Sequence, residues 1–567
     1  MNRQNGPQSR YGLGEVPPQV QLISPVATSR TGSHAMNLPL NLIARIVAQL
    51  DEIGDIARVT RTSRLLYYMT LPLLYERVAL HSYPDIRYID GRPEGFGSGS
   101  PFTMALNGLV TKAHAGLVQE FRLWGHWREV CVDEFSKGRI PDTTMMLNIL
   151  LRAATDRMTK LKRFIWELDC KPLKTLYHGL AAHDTLNCLI LKFPSTRIPR
   201  PSVLIPPMPH LRRLKVTDID PLCYPDDISL LILHGRKLED VRIHFSPRMR
   251  REAEPGLNLG TYFGRLEKAN LKLPVRHFGI QNFFGVQLHV LEEILDPERC
   301  KSMASIDTFG TAGGPPGTVF VDETWKNVSP DSWTDFRRVR CNEITQQHVG
   351  IISRATGMAQ LYFINQKPPK TGTTPIGLES PFTPEDVESP GTDSLIQQLG
   401  RDYLHAITRN HGTTLTHLLL SDKWSYSQEE AAEFIRFCPN LEQLGIALNT
   451  SNHSLMRLVL PFLSKLKAIR ILQNSWLDDH NRMISDEERM EGMRRDLWKA
   501  GAESLQWIGF GNSVYKVGKN YQIVNEAGLM EMRREVRLAS SDEIKDVELW
   551  SMDSLSLDAD PIASSST

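Results

Sequence analysis

The sequence predicts an α/β chain: an all-α unit of three short helices, then an irregular, curved solenoid of strand–helix repeats. Three observations carry that expectation. A strongly apolar amphipathic stretch, NLPLNLIARIVAQL, occupies 37–50. A short phrase of the form L-x-x-φ-x-φ, with φ apolar, returns at spacings of 25 to 28 residues. The length, 567 residues, exceeds what one ordinary core supports. Composition adds exclusions. With 23% charged residues and a net charge of +1, nothing draws the whole chain toward nucleic acid or an anionic membrane, so neither is an expected partner.

Residues 1–36 are polar and rich in Gly, Pro and Gln; they lack the apolar core of a secretory signal, and a disordered tail is expected. No run approaches 18 consecutive apolar residues, so no membrane span is expected. The seven cysteines are scattered, no two closer than 18 residues, which excludes C-x-x-C metal sites and suits a reducing compartment, cytoplasmic and/or nuclear. No cofactor or metal is expected.

The unit over 37–80 begins with Pro39 in the first helical turn and Asn37 as its cap. Leu42, Ile46 and Leu50 run down one stripe and Ile43 and Val47 down the next. The apolar arc spans roughly 140–160°, wider than the stripe of an ordinary surface helix. Such a helix needs two partners, one inside its unit and one outside. Gly54 breaks it, Asp55 caps a second helix carrying Ile56 and Val59, and helical patterning continues through Leu65, Leu66 and Met69 to about Leu80. Residues 81–115 read as a connecting loop.

The repeated phrase fills 116–539. It appears as LKRFIW (161–166), LNCLIL (186–191), LRRLKV (211–216), LEDVRI (238–243) and, more weakly, LEKANL (266–271). It returns as LTHLLL (415–420), LEQLGI (441–446), LKAIRI (466–471) and LQWIGF (505–510), with degenerate copies at VQEFRL (118–123), FRRVRC (336–341) and MAQLYF (358–363). VRHFGI (275–280) fits the phrase but not the spacing and reads as a decoy. The array resembles leucine-rich repeats of an irregular kind, a resemblance that implies a horseshoe of stacked units, each supplying a strand and a returning helix. The asparagine expected three residues past the strand is found only as Asn449 and Asn474. Inserts interrupt the array near 285–335 and 365–395; the second holds Thr374, Ser380, Thr383 and Ser389, each before a proline, as candidate sites for a proline-directed kinase. The acidic, serine-rich segment 540–567 reads as a second disordered tail.

Several residues of the helical unit together resemble an F-box: Leu38-Pro39, the Leu42/Ile46/Leu50 stripe, Asp55-Ile56, Val59 followed by Arg61, and the closing Leu74-Tyr75-Glu76-Arg77-Val78. The resemblance implies docking onto the Skp-type adaptor of a cullin–RING ubiquitin ligase, with Leu38, Pro39, Leu42, Ile46, Leu50 and Ile56 facing the adaptor. An F-box followed by leucine-rich repeats implies the substrate-recognition subunit of an SCF ligase, itself without catalytic residues. Asn41 stands where the family carries an acidic residue, and no Trp follows the V-x-R stretch. Those departures favour the alternative, a non-degradative interaction scaffold.

Alternate positions of the repeat strands share one face. In the units at 161, 186, 211, 238 and 266 the second, third, fifth and seventh positions hold nine basic against four acidic residues. A basic surface centred on Arg212, Arg213, Lys215, Arg242 and His244 is therefore the candidate substrate site, suited to an acidic or phosphorylated protein. No P-loop, H-E-x-x-H or G-x-S-x-G motif is present, and no cysteine has an evident activating neighbour, so a catalytic role is not expected.

Overall fold

The computed structural model describes residues 38–95, 99–194, 203–221, 223–224, 226–246, 260–283, 290–308, 335–342, 344–366, 392–448, 460–472, 485–511, 513–524 and 528–559. The chain divides into two compact units, 1–74 and 75–567. The expected N-terminal tail, the four Ser/Thr-Pro sites, Asn449 and Asn474 all lie outside the described residues, as does most of both inserts.

The first unit contains the helices Leu40–Val47 and Ile53–Val59 and most of a third, Arg64–Glu76, which carries Pro72 inside it. Pro39 stands one position before the first helix, with extended backbone, and its carbonyl accepts from Leu42 and Ile43. Glu52, rather than Asp55, occupies the N-cap of the second helix, and Asp55 sits in its first turn against Arg58 at 2.5 Å.

The second unit is mixed α/β and, among the described residues, is built on one open 16-stranded sheet whose strands follow one another in chain order, all parallel but for the last two, which pair antiparallel. Its first strand, β1 (Arg77–Ser82), is a correction to the expected all-α boundary near Leu80. The expected connecting loop holds a two-stranded ribbon, β2 (Tyr88–Ile89) and β3 (Arg92–Pro93), and the helix Pro101–Thr111 capped by Ser100. Then follow β4 (Glu120–Gly125), β5 (Arg163–Leu168), β6 (Cys188–Lys192), β7 (Arg213–Ile219) and β8 (Asp240–Phe245). β5 to β8 begin 25, 25 and 27 residues apart.

The next unit corrects the sequence reading. LEKANL lies at the end of the helix Gly260–Lys268, and the supposed decoy VRHFGI supplies β9 (His277–Gln281). A further strand, β10 (Ser302–Ile306), falls inside the first insert. β11 (Arg338–Cys341), β12 (Gln360–Phe363), β13 (His417–Leu419), β14 (Gln443–Ile446), β15 (Ala468–Ile471) and β16 (Trp507–Phe510) coincide with the remaining phrases. The antiparallel pair β17 (Ser513–Val524) and β18 (Met530–Leu538) closes that edge and was not foreseen.

Parallel neighbours need a crossover, and alternate strand residues face opposite ways. One face buries a ladder in strict register, Phe121, Phe164, Leu189, Leu214, Val241 and Phe278 onward to Ile508, each at most 3% exposed. Crossover helices cover that face: Leu147 and Leu151 of Asp142–Asp156, Leu176 and Leu180 of Lys174–Ala181, and Phe434 and Ile435 of Gln428–Phe437 join the same core. Two polar features sit within the unit. Lys171 pairs with Asp227 at 2.7 Å, both buried, and burial pushes the Asp227 carboxyl up while Lys171 works against it. His348 is fully buried beside Phe363 and Tyr403, with Nδ1 3.1 Å from the Tyr403 hydroxyl, and burial pulls its imidazole down to about 3.

Asparagines do bridge neighbouring units, one or two places past the phrase rather than three. Asn282 accepts from the Thr308 amide at 2.9 Å, Asn342 from Asp307 at 2.8 Å and Asn365 from Asp422 at 2.8 Å.

Candidate functional site

Two surfaces stand out, one in each unit. In the first unit the apolar arc of Leu40–Val47 divides as its width requires. Val47 is buried, whereas Leu38, Leu40, Leu42 and Ile46 are exposed, Ile46 at 58%. Leu42 and Ile46 lie four residues apart and so share a stripe. Pro39 is exposed and Leu50 half-buried. Ile56, expected at the adaptor, is only 6% exposed and is a packing residue instead, because its helix turns Ile53 outward at 63% exposure. Ile53 and Tyr68 are exposed apolar residues that the sequence reading did not single out.

In the second unit the candidate is the sheet face opposite the helices. Its central row is fixed by pairing register: Ala79, Arg122, Ile165, Ile190, Lys215, Arg242, Gly279, Ala304, Arg340, Tyr362, Leu419, Gly445, Arg470 and Gly509 are successive neighbours across β1 and β4 to β16. All but Ala79 and Ala304 are fifth positions of the repeated phrase.

Lys215, Arg242 and their neighbours Arg213 and His244 share this face, but they do not form the open basic surface expected of them. Arg242 is buried and holds Asp240 with two bonds of 2.9 Å, and Arg213 lies 3.5 Å from the same carboxylate. His244 is 3.5 Å from Asp218; burial lowers its pKa, with Asp218 opposing. Arg212 is exposed, at 3.4 Å from Glu239. Aspartates on the same and adjacent strands thus answer much of the charge excess counted from the sequence.

The larger departure is the C-terminal segment. Residues 540–559, read as part of a disordered tail, are ordered, and 548–559 crosses the sheet face from β16 to β7. A short helix, Glu548–Ser551, sets Leu549 against Leu419 and Tyr362, beside Gly445. Trp550 lies over Gly509, where a Cβ would come within 2.7 Å of its ring. Leu557 covers Gly279 and packs with Ala304 and Ile306. Where the row is small, the segment approaches.

Polar groups hold the segment along its length. The Glu548 carboxylate accepts from the Tyr362 hydroxyl at 2.5 Å and from Gln360 at 3.1 Å, with Arg338 at 3.7 Å and His417 at 4.0 Å. Burial lowers the His417 pKa and Glu548 opposes it. Asp553 accepts from the amides of Asn365 and Gln366 at 2.6 and 3.0 Å and from Arg470 at 2.7 Å. Lys215 donates to Asp558 at 2.5 Å.

Arg340 is fully buried, and its guanidinium donates to the main-chain oxygens of Met552, Ser554 and Ser556 at 3.2, 2.7 and 3.0 Å. Gln281 and Arg242 donate to the carbonyls of Leu555 and Leu557, and Gln443 and Gln366 accept from the amides of Leu549 and Leu555.

No protein-family model matches the chain, and no curated protein is similar to it in sequence. Among the described residues no helix is long and apolar enough to cross a membrane.

Proposed function

We propose that this chain is the substrate-recognition subunit of an SCF-type ubiquitin ligase. Its first unit acts as the F-box and its second as a leucine-rich-repeat solenoid that receives the substrate. The observation that carries the reading is the exposed stripe of Leu42 and Ile46, extended by Leu38, Leu40 and Ile53, on a unit too small to leave such a surface bare without a partner. Leu38, Leu42 and Ile46 are also among the residues that resemble an F-box. Helix-in-groove burial on a Skp-type adaptor would cover them. The chain would do no chemistry of its own; it would hold a bound protein close to ubiquitin carried by the assembled ligase, raising the local concentration of the reacting groups.

The sheet face offers a recognition surface on rigid elements, and the 25-to-27-residue spacing of β5 to β8 supports the leucine-rich-repeat reading. The test is immunoprecipitation of the tagged full chain from its own cells, with mass spectrometry of what accompanies it, beside Leu42→Asp/Ile46→Asp. Adaptor and cullin recovered with the wild type and lost from the variant support the reading. Neither recovered with the wild type would leave the non-degradative scaffold.

A further inference from the structure

The 548–559 segment is bound the way a peptide is bound. It adds no strand to the sheet. Instead seven of its main-chain groups are met by side chains of the face: the amides of Leu549 and Leu555 and the carbonyls of Met552, Ser554, Leu555, Ser556 and Leu557. Main-chain bonds of this kind carry no sequence preference, and pockets for particular side chains then select among sequences.

The selective part is equally regular. Glu548, Asp553 and Asp558 follow one another at intervals of five residues, and each meets cationic or amide donors of the face. Leu549, Met552 and Leu557 are buried between them. Gly279, Ala304, Gly445 and Gly509 keep the floor low along the path, and the 16 strands pair with one another without the segment.

We infer that this face, from Lys215 to Gly509, is a peptide-binding groove that holds the chain's own residues 548–559 as an internal ligand. The partner it fits is an acidic peptide with carboxylates about five residues apart and Leu or Met beside them, which binds by displacing that segment. This rests on the reading of the second unit as the substrate-receiving element and names the class of substrate.

The probe is a fluorescein-labelled peptide of residues 546–560, titrated by anisotropy into the full chain before and after cutting at a protease site inserted between Lys545 and Asp546. The uncut chain is expected to bind at least 100-fold more weakly than the cut one. A peptide with Lys in place of Glu548, Asp553 and Asp558 is expected not to bind, and Arg470→Glu in the cut chain to weaken binding at least tenfold. A chain ending at Val547 should match the cut chain if it folds; the cut chain serves if it does not. Equal binding to cut and uncut chain would overturn the proposal. So would a cut chain, still folded by circular dichroism, that keeps its own segment against excess peptide. The adaptor takes no part in this titration, so its outcome is separate from that of adaptor binding.

Discussion

Leu549→Ala tests whether the 548–559 segment docks onto a sheet that is already formed. Leu549 is fully buried on the sheet face opposite the helices, among Tyr362, Leu419, Ala447 and Leu472. Truncating a fully buried leucine to alanine costs about 2–5 kcal/mol. No strand pairing involves the segment, so the cost falls on its docking equilibrium rather than on the sheet. At about 1.4 kcal/mol per tenfold, the undocked population rises roughly 30- to 4,000-fold. Hydrogen exchange followed by mass spectrometry reads this directly. The Leu549 amide bonds to Gln443, and the Asn365 and Gln366 amides bond to Asp553, so fragments covering 546–559 and 364–366 should exchange faster by that factor. Fragments within β5 and β6, far along the sheet, should not change. Unchanged protection of 548–559, or an equal loss in β6, would refute the reasoning.

Three further outcomes follow from the packing and the charges. Gly509→Val suits a strand but drives a side chain into Trp550, 2.7 Å from the new Cβ; Trp550 fluorescence should shift to the red while the urea midpoint stays within error of wild type. The buried Lys171–Asp227 pair predicts that Asp227→Ala loses about 3–5 kcal/mol in urea unfolding, and that Lys171→Met/Asp227→Leu recovers most of it. His348 titrates near 6.5 when unfolded and at about 3 when folded. The unfolded chain therefore takes up a proton that the folded chain refuses, so stability is full above pH 6.5 and falls as pH drops below it. Between pH 7.5 and 5.5 this histidine should cost about 1.4 kcal/mol, and a pH series on His348→Gln should show that much less acid sensitivity.

The strand positions were legible wherever an apolar phrase alternated about a charged residue, as in LRRLKV and LEDVRI, because one face of those strands is apolar under the helices and the other carries the charged side chains. The reading failed at LEKANL because Leu266 and Ala269, three apart, suit a helix face as well as the phrase does; Leu266 lies in the helix that ends at Lys268, and Ala269 follows it. It failed at β10 because Ser302 to Ile306 are all buried, so no alternation marks them. β9 was passed over on spacing alone, although Gly279 in the fifth position matched Gly445 and Gly509. The docked segment left no local signal. Its acids and serines resemble an unstructured tail, and the side chains that answer them come from β7 to β15, up to 343 residues away in sequence. The exposed apolar stripe was visible in the helical spacing of Leu42 and Ile46. Which way Ile53 and Ile56 turn depends on how the second helix is rotated, and a seven-residue helix carries too little pattern to fix that.

The most direct test of the central claim is calorimetric titration of a purified Skp-type adaptor into the full chain, wild type beside Ile46→Asp, with circular dichroism to show that both are folded. The account predicts a one-to-one complex with a dissociation constant of about 1 μM or tighter for wild type, weakened at least 100-fold by Ile46→Asp, since a charge would replace an apolar anchor. A folded wild-type chain that takes up no adaptor at tens of micromolar, roughly −6 kcal/mol of binding free energy, would contradict it.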